Sequence, residues 1–308
     1  MSRLIIAFAF LSVVLYSFFT GALPARAVPP NAGESETILL QQNQLITLNP
    51  SAMVPLSAGH EISGIVKSRK HPDLYWIIND SDNPPCLIPI NEKGSILSPV
   101  PSGIIIQGAR NIDWEDLAID PDGVIYIFDT GNNWSMRQDL CVYAVRESAD
   151  AALLAPGAER IRIRYPEQKV FAPIQLVYDC EAGFVFNNKL YLLTKRLSDG
   201  FTSLYRMDRK DPRKINELTF LESFPVNGYV TAADMSPDQQ KLAVLTYEAL
   251  WVFSNFKGDS FFKGTTTKIM LNKGGQIESV CFTDNNTLLI LSENENRIFT
   301  VPLAPYGL

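Results

Sequence analysis

Five times along this 308-residue chain the same three-strand phrase comes back, and nothing else in the sequence constrains the fold as tightly. The copies read EISGIVKS, LYWIIND, CLIPINEKG; then EDLAID, VIYIFDTGNN, LCVYAVRE; then EAGFVF, KLYLLTKR, SLYRMD; then TAADMS, KLAVLTYE, LWVFSN; and last ESVCFT, TLLILSEN, RIFTVPL. They begin at residues 61, 115, 181, 231 and 278. Each short run of Val, Ile, Leu, Tyr and Phe is bounded by Pro, Gly, Asn or Asp, which is the signature of strands, and helical periodicity is almost absent.

A less regular segment able to supply a fourth strand follows each phrase but the last. A lone four-stranded sheet leaves an apolar face uncovered, so units at this spacing stack around an axis, and the expected fold is an all-β β-propeller. Five blades are favoured. Six remain possible if a degenerate blade lies in the long interval between 115 and 181. Two separate β-sandwiches would need a linker, and no stretch rich in Gly, Ser or charge divides the chain. The strand-like segment ETILLQQNQLITLN, at 36–49, has no phrase of its own. It is expected to complete the last blade and close the ring, which removes an exposed sheet edge.

The chain opens with MSRLIIAFAFLSVVLYSFFTGALPARA: one early basic residue, an apolar run, a Gly/Pro break and a small-residue cleavage site. That order predicts a signal peptide over 1–27, cleaved after Ala27, leaving 28–308 as a single propeller domain. The mature protein is then secreted or periplasmic and not an integral membrane protein. Cleavage removes Arg3 and Arg26, so 25 basic residues face 33 acidic ones. Nucleic acid is excluded as a partner by that balance.

In a propeller the start of the innermost strand and the turn between the second and third strands fall on one face of the disc, by antiparallel alternation. Aligning the phrase starts places Glu61, Glu115, Glu181, Thr231 and Glu278 in one column at the channel mouth. Small residues follow, Ser63-Gly64, Ala118, Ala182-Gly183 and Ala232-Ala233, as crowding near an axis requires. The turn after the second strand adds Asn79, Asp80, Asp129, Asn132, Lys195, Arg196 and Glu293 as candidate ligand-binding residues. Asp120 and Asp122, in contrast, belong to an ordinary hairpin turn on the other face.

Four carboxylates around one mouth form six pairs, each costing about 2 kcal/mol at ~8 Å and an effective dielectric of ~20. A sum on the order of 10 kcal/mol rivals the stability of a whole domain, so something must offset it. A hard cation held by Glu61, Glu115, Glu181 and Glu278 does so, and Ca²⁺ is the one that prefers oxygen donors of this kind. Counter-ions such as Lys195 and Arg196, raised carboxyl pKa values, or hydration are the other routes.

On EISG at Glu61 to Gly64, the W-I-I-N-D-S-D-N-P-P-C-L run at Trp76 to Leu87, and the D-W-E-D-L-A and D-T-G-N-N pieces between Asp113 and Asn133, the chain resembles a family of secreted bacterial β-propellers of largely unassigned function. It is similar to the SdiA-regulated propellers, and more distantly to the gluconolactonase-like, paraoxonase-like and phytase-like calcium propellers. The gluconolactonase-like resemblance implies a central Ca²⁺ activating a small ester or lactone, and only the acidic ring at Glu61, Glu115, Glu181 and Glu278 carries over. The phytase-like resemblance implies several Ca²⁺ ions and a phosphorylated substrate.

Other chemistry is sparse. Two histidines exclude multi-histidine metal sites; His60 precedes Glu61 and is the candidate general base, while His71 lies in a turn on the opposite face. No second His completes a zinc-protease motif, and neither a G-x-S-x-G elbow nor a phosphate loop is present. Cys86, Cys141, Cys180 and Cys281 form either buried free thiols or bridges, and equivalent outer positions on neighbouring blades diverge beyond disulfide reach. Trp76 and Trp134, near the polar turns, would favour binding if exposed. The sequence therefore leads to an exported propeller with an acidic, calcium-binding mouth for a small or extended ligand, with a calcium-dependent hydrolase of lactones, esters or phosphoesters as the alternative.

Overall fold

The computed structural model describes residues 44–147, 157–171 and 173–308, and its strands form five sheets arranged as the blades of a β-propeller. From the axis outward, the first blade is built from Ile62–Lys67, Tyr75–Asn79, Cys86–Ile90 and Ile104–Ile105. The second comprises Trp114–Ile119, Val124–Asp129, Cys141–Arg146 and Glu159–Arg164. Asp179–Phe186, Lys189–Lys195, Thr202–Met207 and Thr219–Phe224 make the third. The fourth contains Val230–Met235, Lys241–Thr246, Ala249–Ser254 and Thr265–Asn272. In the fifth, Ile277–Asp284, Thr287–Ser292 and Arg297–Pro302 are joined by Ala52–Met53.

Five hydrophobic clusters hold the ring, one at each seam between blades. Because both faces of each sheet meet a neighbour, the inner strands are buried almost throughout, and runs such as YWIIN and ALWVF are apolar on both faces. The seam between third and fourth blades is the most aromatic: Phe184 stacks on Tyr191 at 5.1 Å and Phe224 meets Trp251 edge-on at 5.1 Å.

The segment expected to close the ring does something else. Gln44–Thr47 pairs in parallel with Thr265–Asn272 on the rim of the fourth blade, and Ala52–Met53 closes the fifth by pairing with Arg297 and Ile298. The reason is burial: Ile46 and Leu48 complete the cluster between the fourth and fifth blades, beside Ile269 and Leu271. A second borrowed strand, Ile215–Glu217, leaves the third blade and pairs in parallel with Glu159–Arg164 of the second. The interval from 115 to 181 holds that outer strand and no further sheet among the described residues. The signal segment over 1–27 lies outside the described residues, and among these no helix is long and apolar enough to cross a membrane.

The axis is filled rather than open. Asp116, fully buried on the innermost strand of the second blade, accepts hydrogen bonds from Leu117 N (2.8 Å), from Gly183 N of the third blade (2.9 Å) and from Ala233 N of the fourth (3.3 Å). Asp234 repeats the device toward the fifth blade, accepting from Phe282 N at 2.8 Å. Small residues make the approach possible: a Cβ on Gly183 would sit 2.2 Å from the Phe128 ring, and one on Gly64 2.8 Å from Leu117 N. Burial pushes the Asp116 carboxyl well above the usual range, with the three backbone donors pulling back. Asp116→Ala leaves two N–H groups of other blades buried without an acceptor and is expected to lower unfolding free energy by about 2–5 kcal/mol, read from urea denaturation. A change below 1 kcal/mol (a few-fold in the unfolding constant) would show that the axial bonds do not hold the ring.

Candidate functional site: an acidic mouth

Each innermost strand carries a one-residue β-bulge near its start, at Ser63, Glu115, Glu181, Thr231 and Glu278. A bulge turns a side chain out of the pleat, which is how these positions come to face the mouth instead of a neighbouring sheet. The first-blade equivalent of Glu115 is thus Ser63, not Glu61. Glu61 stands two residues earlier, in left-handed backbone at φ 64°, level with Asp113, Asp179, Tyr229 and Gln276. The strand pairing defines a third column, one residue past the partner of the residue that precedes each bulge, occupied by Asp80, Thr130, Lys195, Tyr247 and Glu293.

Asp80, Asp113 and Glu115 each bring a carboxylate oxygen within 4.8 Å of the others. They come from two adjacent blades. Gly131 is what leaves them room, since a Cβ there would lie 2.0 Å from Glu115 Oε1 and 2.4 Å from Asp113 Oδ2. The other acids have partners of a different kind: Lys195 Nζ is 3.0 Å from Glu181 Oε2, and the Tyr247 hydroxyl donates to Glu278 Oε1 at 2.6 Å. Lys195 also lies over the Tyr247 ring at 5.8 Å. Asp179 shares a side-chain hydrogen bond with Glu181, and Asn79 Oδ1 is a buried acceptor without a hydrogen-bond partner among the described residues.

Electrostatics follow from this crowding. Burial, then the charges of Glu181, Asp80, Asp113 and Asp179, push Glu115 well above the ordinary carboxylate range. Asp113 is pushed up to about 7 by burial and by Asp80, against the pull of Arg137. Glu181 is raised by burial and by Asp179 although Lys195 opposes it. Burial also lifts Glu278 to about 7, and Glu293 to about 7, the latter helped by Glu278, Asp80 and Glu61. Lys195 loses hydration, yet Glu181 holds it firmly protonated.

Several residues named from sequence hold the mouth together rather than face it. Asp129 is buried and paired with Arg137 Nη2 at 2.9 Å, and Asn132 N donates to Asp179 Oδ1 at 2.5 Å, tying the second blade to the third. Arg196 pairs with Asp199 and donates to Ser203 Oγ at 2.8 Å, so it is no counter-ion for the glutamates. His60 is exposed on the loop ahead of the first blade. Trp76 is buried, its Nε1 donating to Glu147 Oε1 at 2.8 Å, whereas Trp134 is 71% exposed. The Asp120 turn is as expected, with Oδ1 accepting from Asp122 N and Val124 N. All four cysteines are free and buried. Asp113 and Asp179 were missed, though a signal existed: D-x-E occurs at both Asp113-Trp114-Glu115 and Asp179-Cys180-Glu181.

No protein-family model matches the sequence, and neither does any curated protein. Solved structures that are similar in fold include the PQQ-bound aldose sugar dehydrogenase of Streptomyces coelicolor, at 10% identity and a TM-score of 0.48, covering 83% of this chain and 96% of that one. A structural genomics protein of unknown function from Bacteroides thetaiotaomicron has 9% identity and a TM-score of 0.46, covering 82% of this chain and 70% of that one. The RRP9 WD40 repeats have 10% identity and a TM-score of 0.41, covering 80% and 95%.

A carboxyl whose folded pKa is raised binds its proton more tightly in the folded state, so stability is greatest below the unfolded value and is lost as pH rises through the folded one. With Asp113, Glu278 and Glu293 each near 7 against ordinary values near 4, chelator-treated protein should lose stability between about pH 4.5 and 7.5. Melting temperatures across that range, measured in EDTA, check it; a flat or rising profile contradicts it.

Proposed function

We propose that this protein is an exported β-propeller whose acidic mouth holds a divalent cation and presents it to a ligand. The observation that carries the reading is the convergence of Asp80, Asp113 and Glu115, each with a carboxylate oxygen within 4.8 Å of the others. Three carboxylates with further oxygen donors beside them fit a hard cation, and Ca²⁺, which tolerates six to eight oxygens in adaptable geometry, fits better than the strictly octahedral Mg²⁺. Asp80, Asp113 and Glu115 would hold the ion, with Glu181 and Glu278 already engaged by Lys195 and Tyr247. A bound cation supplies Lewis acidity and charge balance, and it would return the three carboxyls to their ionised form. Export rests on the order of charge, apolar run and small residues over 1–27. The gluconolactonase-like, phytase-like and SdiA-regulated readings rest on the sequence resemblance and are proposed with it.

At a Ca²⁺ concentration about 100 times Kd, binding stabilises a fold by about 2.7 kcal/mol, a rise of roughly 5–10 °C for a domain of this size. Differential scanning fluorimetry in 2 mM CaCl₂ against EDTA should show that rise in the native protein and in Glu278→Gln, and lose it in Glu115→Gln. Equal melting with and without Ca²⁺ would remove the cation from the proposal. A screen of lactones, esters and phosphoesters on the same samples tests the hydrolase alternative, which requires turnover abolished both by chelation and by Glu115→Gln.

A further inference from the structure

At the fourth blade the acidic pattern of the mouth breaks. Where the second and third blades place an acid pair, Asp113 with Glu115 and Asp179 with Glu181, the fourth places Tyr229 and Thr231. Thr231 is buried and donates to Ile277 O at 2.8 Å, so its hydroxyl is spent on the ring. Tyr229, 40% exposed, lines a groove of about 540 Å³ that opens on this side of the mouth. That volume is the size of a small-molecule site.

The groove runs between the third and fourth blades on the face that carries the acids. Its walls are the Leu197–Gly200 turn, the Val226–Tyr229 linker and the Thr246–Ala249 turn, and its outer end is Lys268 and Met270. The walls are fixed from behind. Asn227 N donates to Gly200 O at 2.9 Å, Ala249 N donates to Thr246 Oγ1 at 3.0 Å, and Asp199 is held by Arg196. Lys268 rests over the Trp251 ring at 4.8 Å. At the inner end stands Tyr247, whose hydroxyl is committed to Glu278.

The lining decides the class of ligand. Arg196 neutralises Asp199, while Glu248 and Lys268 balance one another in charge, and Tyr229 and Tyr247 contribute aromatic rings to the lining. A neutral molecule with hydroxyls on its edges and an apolar C–H face meets all of these, because each hydroxyl both donates and accepts. We propose that the groove between the third and fourth blades is a binding site for neutral carbohydrate, with Tyr229 as its platform and Asp199, Glu248 and Lys268 as its hydroxyl partners. None of these residues belongs to the Asp80–Asp113–Glu115 group, so the site stands independently of the cation.

Gly228 gives a clean test, since a Cβ there meets nothing nearer than Thr246 Cβ at 3.6 Å and its backbone is not left-handed. Gly228→Phe should fill the groove without disturbing the fold. Saturation-transfer NMR with neutral tetrasaccharides of glucose and of N-acetylglucosamine, with spermidine and citrate as charged probes, is run on the native full chain in Ca²⁺ and in EDTA. The expected result is transfer from at least one tetrasaccharide in both buffers, with affinity falling at least tenfold in Gly228→Phe at unchanged melting temperature. Tyr229→Ala, which removes only a half-exposed ring, gives the same loss and serves if the first variant does not fold. Transfer from no tetrasaccharide, from the charged probes instead, only in Ca²⁺, or undiminished in both variants overturns the proposal. The Ca²⁺ melting shift is scored separately, so the groove and the cation site succeed or fail on different readouts.

Discussion

Asp116 is the point on which the ring depends. A carboxylate buried at the axis accepts from three blades at once, and its hydrogen bonds fix how closely the innermost strands approach. The innermost strands pack so closely that a Cβ at Gly64 would meet the second blade's backbone and one at Gly183 the Phe128 ring. The bulges then turn one residue per blade into the mouth. Geometry at the axis and chemistry at the mouth are two results of the same crowding.

The mouth is a competition between desolvation and counter-charge. Lys195 meets Glu181, and Tyr247 meets Glu278, but Asp113 and Glu115 have no ion-pair partner among the described residues, Arg137 being paired with Asp129. The imbalance is local. It leaves Asp113 and Glu115, beside Asp80, which Ser81 N and Lys195 ease in part, as acids that burial lifts above the ordinary range. On the opposite side, Tyr229 and Thr231 stand where the second and third blades place acids.

The all-β fold, the five blades and the face that carries the acids were legible because each rests on a repeating local pattern: strand, turn, strand, with Glu at a recurrent start. Glu61 shows where such alignment fails. Matching Glu to Glu ignored that a bulge must fall at the same height in every blade, and that height is set by pairing partners such as Ile62 with Asn79, which a linear string does not display. Trp76 and Arg196 failed for a related reason: their partners, Glu147 and Asp199, are specified by packing rather than by spacing. Asp113 and Asp179 were readable in principle, since residues two apart on a strand share a face. Asp116 was not, because a carboxylate that reaches two other sheets leaves no periodic trace.

The borrowed strands bear on how such a chain is put together. Ile215–Glu217 is encoded with the third blade and lies in the sheet of the second; Gln44–Thr47 precedes every blade and lies in the fourth. The second, fourth and fifth blades therefore each hold a strand encoded outside their own repeat, whereas the first is contiguous from Ile62 to Ile105, and deleting the third repeat would strip a strand from the second. Three of the five blades are thus interlocked with distant parts of the chain, which ties the number of blades to strands that no single repeat carries.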